Sequence, residues 1–105
     1  PKIGPVQAPD VLPESKSVLY SDIDMNHHVN NAHYIQWAFD SVSDTFRKSH
    51  KISSVVVNFI AQAKLGEGYR VCTEHVADET YKIAVFSEDM QTEFCRLQTE
   101  WKSIM

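Results

Sequence analysis

One apolar stripe of helical period stands alone in a chain that otherwise reads as strand. Ile35, Ala38, Val42 and Phe46 follow at spacings of three, four and four, and Tyr34 and Phe39 widen the stripe. A helix with one apolar face must bury it, and loops cannot cover it. Asn30 or Asn31 suits the N-cap. Arg47, Lys48, His50 and Lys51 sit where cations suit a helix C-terminus. The spacing predicts one helix over residues 31–48.

The rest is β-like. Residues 17–21 predict a short strand leading into a polar segment, and residues 52–63 are rich in β-branched side chains. Residues 64–68, 77–80 and 88–91 carry turn signals, and residues 69–76, 81–87 and 94–104 read as strands between and after them. Closely spaced strands with short turns imply an antiparallel meander. Strand, long helix, then four strands make an α+β layer, with the helix laid on a sheet.

Residues 1–16 stand apart, with Pro1, Pro5, Pro9 and Pro13 at every fourth position. Proline fixes φ and cannot donate a backbone hydrogen bond, so this is an extended arm or linker. Residues 17–105 are left as one domain. The start at Pro1 rather than Met reads as a processed or excised piece.

The formal charge of −4 and the absence of any Lys/Arg run beyond Arg47-Lys48 argue against nucleic-acid binding, which needs a basic face. No apolar run approaches the ~20 residues that span a bilayer, so no membrane span is expected. Cys72 and Cys95 lie in apolar runs and read as buried, reduced thiols. With no signal peptide in view, a cytoplasmic protein is expected.

Asp24, Asn26 and His28 are spaced by two. On extended backbone their side chains would share one side. A helix start follows at once, with free N–H groups carrying partial positive charge. Acyl transfer needs such a set: a base or nucleophile, a proton carrier, and donors for an oxyanion. The competing reading is that these residues only form a turn and cap before the helix.

Ser21 to Trp37 (Ser-Asp-Ile-Asp-Met-Asn-His-His-Val-Asn-Asn-Ala-His-Tyr-Ile-Gln-Trp) resembles the signature of the hotdog-fold acyl-ACP and acyl-CoA thioesterases. It is most similar to the C-terminal hotdog of the tandem acyl-ACP thioesterases. The resemblance implies a hotdog fold, a long central helix wrapped by a curved five-stranded antiparallel sheet. It also implies hydrolysis of fatty acyl thioesters on acyl carrier protein or coenzyme A. By it, Asp24 is the general base or nucleophile, Asn26 orients the carboxylate or thioester, and His28 assists proton movement. Helix-dipole physics together with the family puts the backbone of Val29 and Asn30 at the carbonyl. Of Ile35, Phe39 and Phe59, one or two are expected to touch the acyl chain.

The chain departs from the family's pattern where a further glutamate is expected after the helix: that position is Gln62. Gln keeps the shape and hydrogen bonds but not the basicity. The alternative function is therefore an impaired hotdog half that binds acyl groups or serves in pairing. A cysteine found beside that acid in some members is Ala63 here, which removes a cysteine nucleophile. His27-His28 with His33 nearby invites a zinc reading, but adjacent histidines point apart and there is no cysteine cluster. No metal and no cofactor are expected. His33 and Gln36 are expected on the polar side of the helix, and His75 on a strand surface. Hotdogs pair their sheets edge to edge, so a homodimer or pairing with an upstream hotdog is expected. A dehydratase-type hotdog would need a second constellation, and none is present.

Overall fold

In the computed structural model, which describes residues 2–104, a single sheet carries helices on one face and the N-terminal arm on the other. Its strands are β1 (Lys16–Ser17), β2 (His50–Phe59), β3 (Gly68–Ala77), β4 (Thr80–Ser87) and β5 (Glu93–Ser103). Their order is β1-β3-β4-β5-β2, and every neighbouring pair is antiparallel. The α+β expectation holds.

Period-2 alternation decides which side chains meet the helix. Tyr69, Ile83, Val85, Cys95, Leu97 and Trp101 are buried together with Tyr34, Ala38 and Val42 of the helical segment. On the opposite face Cys72 and Ala84 are buried against Val6 of the arm. Both thiols are buried and free, as the sequence implied. Burial pushes the Cys72 thiol up, and pushes that of Cys95 up to about 12.

Residues 2–15 form neither helix nor strand, and they are bound to the sheet. The Ile3 N–H donates to Asn58 Oδ1 on β2 at 2.9 Å, and Arg96 Nη1 on β5 donates to the Ile3 carbonyl at 2.9 Å. Further along, the Gln7 N–H donates to Glu74 Oε1 and Arg70 Nη1 donates to the Pro13 carbonyl, both on β3.

Three boundaries differ from expectation. The single helix over 31–48 is two helices, α1 (Asn31–Asp40) and α2 (Asp44–Ser49). Serines divide them. Ser41 Oγ donates back to the Ala38 carbonyl, and Ser43 Oγ accepts from the Phe46 N–H as the N-cap of α2. The strand expected over 17–21 shrinks to Lys16–Ser17, because Tyr20–Asp22 winds into a 3₁₀ turn. The strand expected over 52–63 starts at His50 and ends at Phe59. There the Phe94 carbonyl accepts both the Ile60 and Ala61 N–H groups, which ends the ladder.

The helices leave part of the sheet bare. α1 packs on β3, β4 and β5. On β2 the register puts Ile52, Val55, Val57 and Phe59 opposite the helix-facing residues of β5, and Ile52, Val55 and Phe59 stay exposed. β2 pairs with β5 alone, so its other edge is unpaired among the described residues.

Candidate active site

The polar segment is a closed loop, not an extended strand. Ile23 and Val29 form an isolated antiparallel bridge. The Asp24 N–H donates to the His28 carbonyl at 2.8 Å. Asp24 Oδ1 accepts from the Asn26 N–H at 2.9 Å and the His28 N–H at 3.2 Å. The first of these is the local side-chain turn that aspartate favours. His27 takes φ 63°, the left-handed region that costs a non-glycine residue about 1 kcal/mol or more. Spacing by two therefore does not put the Asp24, Asn26 and His28 side chains on one side of a strand. The Asp24 carboxylate reaches into the loop, while the Asn26 and His28 side chains are exposed and bond to none of the described residues.

Asp24 Oδ2 has no partner among the described residues. Asp24 and His27 line a cavity of about 330 Å³ with Tyr20, Ile23 and Met25. Tyr20 and Met25 are highly exposed, which gives the opening an apolar rim.

α1 begins directly beyond the loop. Asn30 is its N-cap and accepts from the Ala32 N–H at 3.0 Å, as the sequence suggests. The Asn30 N–H, expected to face a thioester carbonyl, is instead donated to the Asp22 carbonyl at 2.9 Å. A donor already paired in a backbone hydrogen bond is poorly placed to hold an oxyanion as well. Val29 is fully buried in the core.

Gln62 lies apart from Asp24, in a smaller cavity of about 140 Å³ with Asn31, Tyr34, Phe59, Ile60 and Ala61. No carboxylate lines that cavity. Tyr34 anchors its floor, for its hydroxyl accepts from the buried Ala63 N–H at 2.8 Å. Burial pushes the Tyr34 phenol up. Of the residues expected at an acyl chain, Phe59 lines this cavity, Ile35 packs on the core and Phe39 meets Trp101 edge to face.

A pairing invisible in the sequence lies behind the loop. His33, expected on the polar side of the helix, turns inward, with Nδ1 2.7 Å from Oδ1 of the buried Asp22. Asp22 Oδ2 accepts from the Leu19 N–H at 2.8 Å. No spacing rule links residues 22 and 33, since one precedes the loop and the other follows the cap. His75 stacks on Tyr81, a cross-strand contact in keeping with its expected place. Among the described residues, no three His, Cys, Asp or Glu side chains gather to hold a metal.

Residues 10–103 match the model of the acyl-ACP thioesterase C-terminal domain. The chain belongs to that family. A dodecanoyl-[acyl-carrier-protein] hydrolase from chloroplasts of Umbellularia californica is 30% identical over 87 residues, covering 79% of this chain and 23% of that protein. This acyl-ACP thioesterase domain thus spans about a quarter of the length of the curated relatives it matches. Among solved structures, the 12:0-ACP thioesterase of Umbellularia californica superposes with TM-score 0.79 at 25% identity, over 96% of this chain and 40% of that one. An acyl-ACP thioesterase from Bacteroides thetaiotaomicron gives TM-score 0.83 at 19% identity, over 97% and 42%. A shorter protein, a 1,4-dihydroxy-2-naphthoyl-CoA thioesterase from Synechocystis, gives 0.71 at 14%, over 89% and 81%. The fold of the acyl-ACP thioesterase domain is the hotdog.

Proposed function

We propose that this domain serves the hydrolysis of fatty acyl thioesters, carried on acyl carrier protein or coenzyme A, with Asp24 as the reacting carboxylate. The observation that carries the reading is the state of that carboxylate. One oxygen is fixed by two backbone N–H groups, and the other is free beside an apolar-rimmed cavity. As general base it takes a proton from water while the water oxygen attacks the carbonyl carbon; the C–S bond then breaks and the thiolate is protonated. As nucleophile its oxygen attacks the carbonyl carbon, the C–S bond breaks and the thiol leaves, and water then cleaves the acyl-aspartyl anhydride to the fatty acid and the free Asp24 carboxylate. Asn26 and His28, exposed on the same loop, orient the thioester and move the proton.

Asp24→Asn tests this cleanly. The amide oxygen still accepts from Asn26 and His28, so the loop keeps its shape while the basicity is gone. Thiol release from dodecanoyl-CoA and from the matching acyl-ACP should fall about 10²–10⁴-fold. Equal rates in both proteins would reject Asp24 as the reacting group.

The carboxylate-free cavity at Gln62 favours a second reading, an impaired half that binds acyl groups or completes a pair. Gln62→Glu separates the two: a rise in rate of about tenfold or more marks the native chain as detuned. An unchanged rate marks Gln62 as a competent variant. In either reading the bare stripe and free edge of β2 support edge-to-edge pairing, as a homodimer or with an upstream hotdog.

A further inference from the structure

We propose that His33 is a positioning residue for the Asp24 carboxylate, acting through Asp22. The proposal rests on Asp24 being the reacting group.

The loop that carries Asp24 is a strained closure, with its left-handed residue at His27. The loop closes on itself through the Ile23–Val29 bridge and the Asp24 N–H on the His28 carbonyl, and its base is tied to the rest of the chain at Asp22. Its backbone carbonyl accepts from the Asn30 N–H at 2.9 Å, which closes the loop's base. Its N–H and its Oδ2 are both tied to Leu19. Its Oδ1 meets His33 Nδ1 at 2.7 Å. Three of these ties are made to its own end of the loop or to the loop's far end. Among the described residues, only the His33 tie reaches a side chain of α1, in its first turn.

With Asp22 as a carboxylate, which only accepts, Nδ1 of His33 is the donor of this pair. Asp22 is buried and the His33 side chain is 27% exposed, so water competes weakly for the bond. The rigid α1 thereby sets where Asp22 sits, Asp22 sets the base of the loop, and the loop sets Asp24. A reacting group displaced by about 1 Å loses up to about 10²-fold in rate, so a clamp two residues away has leverage on turnover.

Two variants and two readings test it. His33→Leu removes the donor; His33→Asn keeps an N–H donor near the position of Nδ1. The rate is read with dodecanoyl-CoA, and the loop by amide hydrogen exchange at Asn26 and His28, whose N–H groups hold Asp24 Oδ1. In His33→Leu, kcat should fall about tenfold or more with KM within about twofold. Exchange at those two amides should speed up while β4 and β5 keep their protection. His33→Asn should recover most of both.

Unchanged exchange at Asn26 and His28 in His33→Leu overturns the proposal. So does a loss of protection spread over the whole sheet, which would make the pair a prop for the fold. Equal damage in His33→Asn overturns it too. Should Asp24→Asn leave the rate unchanged, the assignment of Asp24 fails while the exchange readings still judge the clamp. Should wild-type protein show no turnover, exchange alone decides.

Discussion

Tyr34 shows how one atom can serve two layers. Its ring is buried in the core beside Trp37, Phe59 and Phe94, and its hydroxyl receives the Ala63 N–H where the chain has left the β2 ladder. Tyr34→Phe keeps the ring and orphans a buried donor. It should cost about 1–3 kcal/mol, read as a melting temperature lower by about 4–8 °C per kcal/mol. A melting point within a degree of wild type would reject this role for the hydroxyl. The buried acids of the core act in concert at high pH. Cys95 is pushed up to about 12 from 9.0, and Tyr69 to about 12 from 10.0, by burial first and then by nearby Glu93 for the thiol and by Asp22 and Asp40 for the phenol. Both groups stay neutral in the fold where the unfolded chain has ionised them. Their contribution is thus full below about pH 9 and is lost as pH rises from there toward 12. Denaturant titrations at pH 8, 9.5 and 10.5 should show stability falling along that series; a flat series rejects the assignment. Single residues were the scale least legible in the sequence. The motif named Asp24, Asn26 and His28, yet alternation placed them wrongly, because an aspartate that caps its own loop overrides the extended backbone that alternation assumes.

Among the elements, the helix and the three-strand meander were readable from periodicity alone, because burial on one face leaves a repeat in the chain. The break at 41–43 was not, and the reason is physical. Val42 sits in the gap and is fully buried, so the apolar stripe runs straight through the interruption. What breaks the helix is serine chemistry, with Ser41 bonding backward and Ser43 capping forward. Ser43→Ala should therefore loosen α2 and lower stability by about 1 kcal/mol. Because α2 leads directly into β2, the change should be visible as faster amide exchange in residues 44–49. Equal exchange in both proteins would show that packing of Phe46, not the cap, holds α2. The short β1 teaches the same lesson. Residues 17–21 have strand-like side chains, and the Asp22 carboxylate on the Leu19 N–H turns them into a 3₁₀ turn instead.

At the scale of the whole molecule the unmet surface is β2. It offers an unpaired backbone edge together with the exposed apolar side chains Ile52, Val55 and Phe59, a combination that a lone soluble sheet avoids. Val55→Lys puts a charge in the middle of that stripe without touching the core. If β2 is the pairing edge, sedimentation should show weaker association than wild type at equal concentration; undiminished association would send the search to another surface. The fold class itself was legible because strand count, order and turn spacing leave few topologies open.

The arm adds a directional consequence. It begins at the Asn58 and Arg96 side of the sheet and travels toward β3, so the backbone at Lys2 and Ile3 emerges beside β2. The arm therefore lays its first described residues along the strand that carries the open edge, so a charge placed at Lys2 or Ile3 would be felt at that edge and one placed at Gln7 would not.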